Sequence, residues 1–292
     1  MIDVKLFTAA AMAVCGLLAT TDARAGETAG TMQSTPTPSI PGPEVIRQLQ
    51  DAWGRHRILL VGETHGTMET PAVVSALVES TATRAPVVVG LEIPIEECAA
   101  IGAYLASEGS GHDRRKVTAG RFWQRTHQDG RSSAAVFGLI EDIRQFRGRG
   151  WEVALECFDS REIPGGSTND AAMAAALRGI VGRHPGAETR FVMLVGNYHA
   201  TDRSDAREAT MASLIGDLAP FNMLVSSRAP GSSWNCIDRI CASHEFTPRK
   251  YAGLDAASLV IHARPDANGF DAVLVLDRFT ASPPMVNAMH GR

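Results

Sequence analysis

The chain has 292 residues, 45% of them apolar, with Gly and Pro in ordinary numbers, so it can bury one large core or two modest ones. A net charge of −4, a pI near 6.1 and the lack of any Lys/Arg stripe exclude a basic nucleic-acid-binding surface.

In chain order, residues 1–25 read as a secretory signal. A short n-region (MIDVK) leads into an apolar stretch over 6–21, and a DARA exit predicts cleavage after Ala25. The apolar stretch is short against the roughly 20 residues of a membrane span, and no later segment is a candidate. A periplasmic or secreted protein is expected, with no membrane span once the signal is removed. Residues 26–43 are rich in Pro, Thr and Ser and read as a disordered spacer, which leaves 44–292 as a single folded domain.

EVIRQLQDAWG has helical spacing and stops at Gly54, and a first strand is predicted at about 57–62. Residues 69–83 read as a helix with Pro71 in its first turn, followed by a second strand at 87–93, a βαβ unit. Residues 95–107 look helical. The next stretch, 108–133, is polar and glycine-rich with a few aromatics, and reads as an active-site lid or insert. An amphipathic helix follows from 133, then a strand at 152–157, a helix from Asn169 and a strand at 190–196. A helix over 208–219, a strand at 222–227 and two final strands near 259–262 and 271–277, antiparallel at a sheet edge, complete the pattern. Strands alternating with helices predict an α/β three-layer sandwich, with a central, mostly parallel sheet and helices on both faces.

Four cysteines follow the signal. Cys236 and Cys241 are close enough in sequence to close a small loop, worth roughly 2 kcal/mol in chain entropy, and are predicted to pair. Cys98 and Cys157 each follow a strand; they are either a second pair or two buried thiols. The CxxC zinc pattern is absent.

Two apolar strands end in glycine, two residues and a histidine: ILLVGETH at His65 and FVMLVGNYH at His199. Open α/β sheets hold their ligands at carboxyl-terminal strand edges, so both imidazoles are expected there. Glu63, two residues before His65, can face the same cavity; a carboxylate beside an imidazole fixes its tautomer and raises its basicity. The same pair would also serve as metal ligands. Glu92 ends an apolar strand (VVVGLEIP), where a carboxylate needs a partner: His65, a metal, or a helix arginine in a structural salt bridge. Asn197 could offer its amide to a substrate carbonyl.

RFWQRTHQDGRSS places Arg121, Trp123, His127, Asp129 and Arg131 on a loop over the rim, where an arginine could stabilise an oxyanion or clamp a carboxylate or phosphate and Trp123 could form an apolar wall; equally, Asp129-Gly130 could be a turn and Arg131 a solvent charge. Glu156 and Asp159 are each a third carboxylate or a helix cap. His56, His112, His184, His244, His262 and His290 read as structural or exposed. GxSxG, GxxxxGK[ST], HExxH and GxGxxG are all absent, which removes serine-hydrolase, P-loop and Rossmann readings.

VGETHGTMETP resembles the strand-end Glu/His motif of erythromycin esterase-like proteins, with a one-residue difference in spacing, and the pair GETH and GNYH resembles the two GxxH motifs of Tiki proteases. Together with LEIP, DGRSS and LVGNYHA, they are similar to exported bacterial proteins of the haem-binding uptake, Tiki, ChaN-like superfamily, over residues 55–205. The esterase likeness implies His65 as the base for water, Glu63 and Glu92 orienting it, and His199 on substrate, without metal. The Tiki likeness implies His65, Glu92 and His199 around a divalent ion such as manganese, cobalt or zinc. The ChaN likeness implies haem binding for iron uptake. The expected function is an exported hydrolase acting on an ester, lactone or amide in a small molecule or peptide. His65 is its base, Glu63 and Glu92 its carboxylates, and His199 and Arg131 steady the developing charge; the alternative is a non-catalytic haem or iron carrier.

Overall fold

Each central strand presents alternate side chains to two apolar layers, as period-2 geometry requires. In the strand Ile58–Glu63 (β1), Leu59 and Val61 join one core, and Ile58 and Leu60 the other. The strand Arg190–Gly196 (β4) divides the same way, Val192 and Leu194 against Phe191, Met193 and Val195. Strands buried on both faces read as unbroken apolar runs, which is why the sequence shows them so clearly.

The computed structural model describes residues 37–160, 169–202, 209–248 and 250–290. The expected signal and most of the expected spacer lie outside these residues. From Thr37 onward the chain forms one compact unit. Its main sheet has seven strands. Beside β1 and β4 these are Val87–Pro94 (β2), Val153–Asp159 (β3), Phe221–Ser227 (β5), Ser258–Ile261 (β8) and Ala272–Leu276 (β9). The order is β3-β2-β4-β1-β5-β9-β8, parallel throughout except for β8, which runs antiparallel to β9 at the edge.

One face carries Pro43–Trp53 (α1), Glu69–Ala82 (α2), Cys98–Leu105 (α3) and Ala134–Gly148 (α6); the other carries Asn169–Arg183 (α7) and Met211–Leu214 (α8). The expected helix over 208–219 is thus only one turn within the described residues, with a 3₁₀ turn following at Gly216–Leu218. Among the described residues no helix is long and apolar enough to cross a membrane.

The stretch 108–133 departs from the expected lid. It folds as Gly111–Thr118 (α4) and Arg121–Gln124 (α5), and Ser110 starts α4 with a capping box to Asp113. Trp123 has no exposed surface; it packs edge-on to Phe122 and Phe137 in the core and so walls no site. Polar spacing hid this because α4 is short and buries little besides Val117 and Thr118.

A second departure is a hairpin, Gly231–Ile237 (β6) and Ile240–Phe246 (β7), where only a disulfide loop was expected. Its turn holds Asp238 and Arg239 at positive φ, a two-residue reversal without the glycine that usually marks one. Cys236 faces Cys241 across the ladder and the two are bonded; Cys98 and Cys157 are bonded as well, tying the start of α3 to β3.

The two bridges close loops of very different length, with sequence separations of 59 and 5. Chain entropy then assigns about 4 kcal/mol to Cys98–Cys157 and about 2 kcal/mol to Cys236–Cys241. Urea unfolding of the two Cys→Ser double variants should show the first losing about 2 kcal/mol more than the second.

Candidate active site

Strand order brings the predicted groups together. β4 inserts between β1 and β2, so the carboxyl ends of β2, β4 and β1 lie side by side, each about 4.8 Å from the next. They carry Glu92, His199 and the pair Glu63 and His65. β3, next to β2, adds Asp159.

His65 is held from one side and faces a carboxylate on the other. Its Nδ1 lies 2.8 Å from Glu63 Oε1, and its Nε2 lies 3.6 Å from Glu92 Oε2. The latter is too long for a hydrogen bond and leaves Nε2 free to engage a substrate or water. Burial works against the imidazolium, but Glu92 and the hydrogen bond to Glu63 outweigh it and raise the His65 pKa. Gly196, the last residue of β4, allows this approach: a Cβ there would lie 2.9 Å from His65 Nε2. Its N–H donates to Glu92 Oε2 at 2.8 Å.

His199 has a partner the sequence did not reveal. Its Nδ1 lies 2.8 Å from Asp170 Oδ1, which also accepts the Met211 N–H at 2.7 Å. In the sequence Asp170 is indistinguishable from an acidic residue that starts a helix. It is a second orienting carboxylate, brought from the first turn of α7 to the end of β4 by the packing of α7 and α8, and no local spacing signals it. Burial opposes protonation of His199, yet the Asp170 hydrogen bond and the charges of Glu92 and Asp170 raise its pKa.

Arg131 is 9% exposed and is saturated by carboxylates. Its Nη1 donates to Glu92 Oε1 and Asp159 Oδ2, both at 2.9 Å, while Nε and Nη2 donate to Asp129 Oδ2 at 3.2 and 2.9 Å. Four contacts of a five-donor group leave little for a substrate oxyanion, so Arg131 holds Glu92 in place rather than clamping the reacting atoms. Burial disfavours the Asp129 carboxylate, but Arg131 and Arg125 lower its pKa overall. Arg121 is exposed. Glu156 pairs with Arg183 and His184 and does not join the cluster.

The cavity in front of the two imidazoles measures about 370 Å³ and is lined by Glu63, Thr64, His65, Asp129, Gly196, Asn197, Tyr198, His199 and Asn235. Asn235 comes from the β6–β7 hairpin, which lies directly on the turn after β1. Trp234 N–H donates to Gly66 O at 2.9 Å, and Gly66, at φ +72°, would bring a Cβ within 2.0 Å of Trp234 O. A cavity of about 430 Å³ opens elsewhere, beside Pro86, Glu152 and Thr189, with His184 as the one imidazole in its lining.

As the side chains stand, His65, Glu92 and His199 do not gather as a ligand trio, although His65 Nε2 and Glu92 Oε2 lie 3.6 Å apart. Among the described residues, one group of three His, Cys or acidic side chains has donor atoms within 4.8 Å of one another: His127, Cys236 and Cys241, whose sulfurs are bonded to each other. The donors of His65, Glu92 and His199 do not close to that distance.

No family model matches the sequence, nor does any curated protein. Solved structures do match. A mutant of the erythromycin esterase EreC, in its open conformation, superposes with a TM-score of 0.60 at 11% identity, covering 82% of this chain and 95% of that one. In fold, the chain is similar to an erythromycin esterase. A Bacillus cereus protein superposes with a TM-score of 0.53 at 9% identity, covering 82% and 92% of the two chains. The expected relationship therefore holds at the level of architecture, which hosts more than one activity.

Replacing Arg131 by Ala would leave Glu92 and Asp159 buried without their cation, at a cost of about 3–5 kcal/mol in unfolding free energy at pH 7. Because Asp129 titrates below its ordinary value, the stabilisation it draws from Arg131 is complete above about pH 4 and lost as pH falls further. Urea unfolding of wild type and Arg131→Ala should therefore show a gap that narrows on acidification from pH 4; a gap independent of pH would exclude the ion-pair origin.

Proposed function

We propose that the chain is an exported hydrolase that activates water with His65 to cleave an ester, lactone or amide. The observation that carries this reading is the pairing of each imidazole with a carboxylate at Nδ1, Glu63 for His65 and Asp170 for His199, beside one cavity. Such pairing fixes which ring nitrogen is available, as proton transfer requires.

Water attacks the substrate carbonyl carbon while His65 Nε2 takes its proton. Glu63 stabilises the imidazolium formed, and Glu92, anchored by Arg131 and the Gly196 N–H, orients the water. The tetrahedral oxyanion receives a hydrogen bond from His199 in its protonated form. On collapse the bond to the leaving oxygen or nitrogen breaks and His199 Nε2 supplies its proton. His65 then releases its proton to solvent and His199 takes one up from it, which restores both groups, and the products are an acid and an alcohol or amine.

The fold shared with an erythromycin esterase supports a hydrolase, and the lining favours it over haem uptake. A porphyrin needs an extended apolar slot, whereas Thr64, Asn197, Asn235 and carboxylates line this cavity. Export is supported by two disulfides, bonds that persist in oxidising compartments. The leader over 1–25, the spacer over 26–43 and a domain from 44 are part of the same proposal.

His65→Ala should lower kcat about 10²–10⁴-fold on any ester the wild type turns over, with KM changing less. Unchanged turnover removes His65 as the base, and a Soret shift on haemin titration that disappears in His65→Ala or His199→Ala would favour the carrier.

The pH profile gives a second check. His65 must be neutral and His199 protonated, and both pKa values are raised, so kcat/KM should be bell-shaped with both limbs above pH 6.5. Asp170→Asn removes a charge that raises the His199 pKa and should move the alkaline limb to lower pH, leaving the acid limb in place; movement of the acid limb alone would reverse the assignment of the two histidines.

A further inference from the structure

We propose that the pocket recognises a saccharide, so that the bond cleaved is an acyl ester on a sugar hydroxyl; this rests on the hydrolase reading above. Three features of the lining point to this class. Tyr198 is 55% exposed at the rim and is the one exposed Phe, Trp or Tyr ring among the described residues. Its ring lies 5.5 Å from that of His199 in a T-shaped arrangement, so it stands next to the reacting groups. Exposing an aromatic ring beside a cavity costs hydrophobic free energy that a stacked ligand recovers.

The second feature is the polar lining. Asn197, Asn235 and Thr64 supply neutral donors and acceptors, the kind that read hydroxyl groups. Asn235 Nδ2 donates to Ser233 Oγ at 3.0 Å, which fixes the amide in the lining. The hairpin that carries Asn235 is fixed on the turn after β1 through Trp234 and Gly66, so the residue is held at a set distance from His65.

The third feature is charge. Arg131 and Arg125, which both pair with the cavity-lining Asp129, are committed to carboxylates. Apart from the two imidazoles, each already paired with a carboxylate, the lining offers an anionic substrate no cation, whereas an uncharged polyol meets both an aromatic ring and hydrogen-bonding groups.

In the reaction, water adds to the acyl carbon with its proton passing to His65, and the carbon–oxygen bond to the sugar breaks. The sugar oxygen takes the proton from His199, releasing a carboxylic acid and the free saccharide. Tyr198 and Asn235 bind the sugar and take no proton.

The test has a binding arm and a turnover arm. Methyl α-D-glucopyranoside carries no scissile ester; titrated into the full chain, it should give saturable perturbation of the His65 and His199 imidazole NMR signals. Its affinity should fall at least about tenfold in Tyr198→Ala and Asn235→Ala, and stay within about twofold in Tyr198→Phe, which keeps the ring. In turnover, methyl 6-O-acetyl-α-D-glucopyranoside should exceed hexyl acetate in kcat/KM by at least about tenfold, with the ratio collapsing in Asn235→Ala. Glycoside binding without turnover of either ester would support the saccharide site and remove the hydrolase reading. Turnover with no preference for the sugar ester, and no glycoside binding, would keep the hydrolase and overturn the saccharide. Choline perturbing the same signals in a Tyr198-dependent way, where the glycoside does not, would overturn it in favour of a cationic substrate.

Discussion

The buried guanidinium of Arg131 is the constraint on which the site depends. Glu92 and Asp159 are 7% and 0% exposed at the ends of adjacent strands, and two buried carboxylates so placed need a shared cation. Arg131 joins them and also takes Asp129 from its own loop. One side chain thus ties the loop between α5 and α6 to the ends of β2 and β3. It also fixes Glu92 from one side, while the Gly196 N–H holds Oε2 within 3.6 Å of His65 Nε2. A charge built in this way serves geometry first, since a pocket of comparable shape could be packed with apolar groups at no loss of stability.

Around that ion cluster the two histidines form a near-symmetric pair. Each stands one short turn beyond a parallel strand, and each presents Nδ1 to a carboxylate. The carboxylates differ in origin: Glu63 is local, two residues from His65, whereas Asp170 arrives from the far side of the sheet on α7. The fields of Glu63, Glu92 and Asp170 push both imidazoles toward their protonated forms, against the opposing effect of burial. The β6–β7 hairpin closes the rim. Because its backbone lies against Gly66 and Gly130, any side chain at those positions would lift it away and take Asn235 out of the cavity.

Much of this was legible in the residues. Strand ends at Glu63, Glu92 and Gly196 stand out because strands covered on both faces carry long apolar runs, and a charge or glycine breaks the run at the end of the strand. Trp123 and Arg131 were harder to read. In a polar, glycine-rich segment an aromatic and an arginine look alike as candidates for a rim, yet Trp123 fills the core beside Phe137, and Arg131 is spent on three carboxylates. Asp170 carried no signal beyond that of a helix cap. The hairpin escaped notice because Asp238 and Arg239 make its turn at positive φ without glycine.

The sequence by itself determined the α/β architecture, the strands and the identity of the histidine and carboxylate beside each other at Glu63 and His65, because hydrophobic period and short-range spacing are local properties of the chain. Only the tertiary structure decided that β4 lies between β1 and β2, that Asp170 serves His199, that Arg131 serves Glu92, and that a distant hairpin supplies Asn235. Those juxtapositions follow from which surfaces bury best against which others, a property of the whole packed molecule that no window of sequence contains.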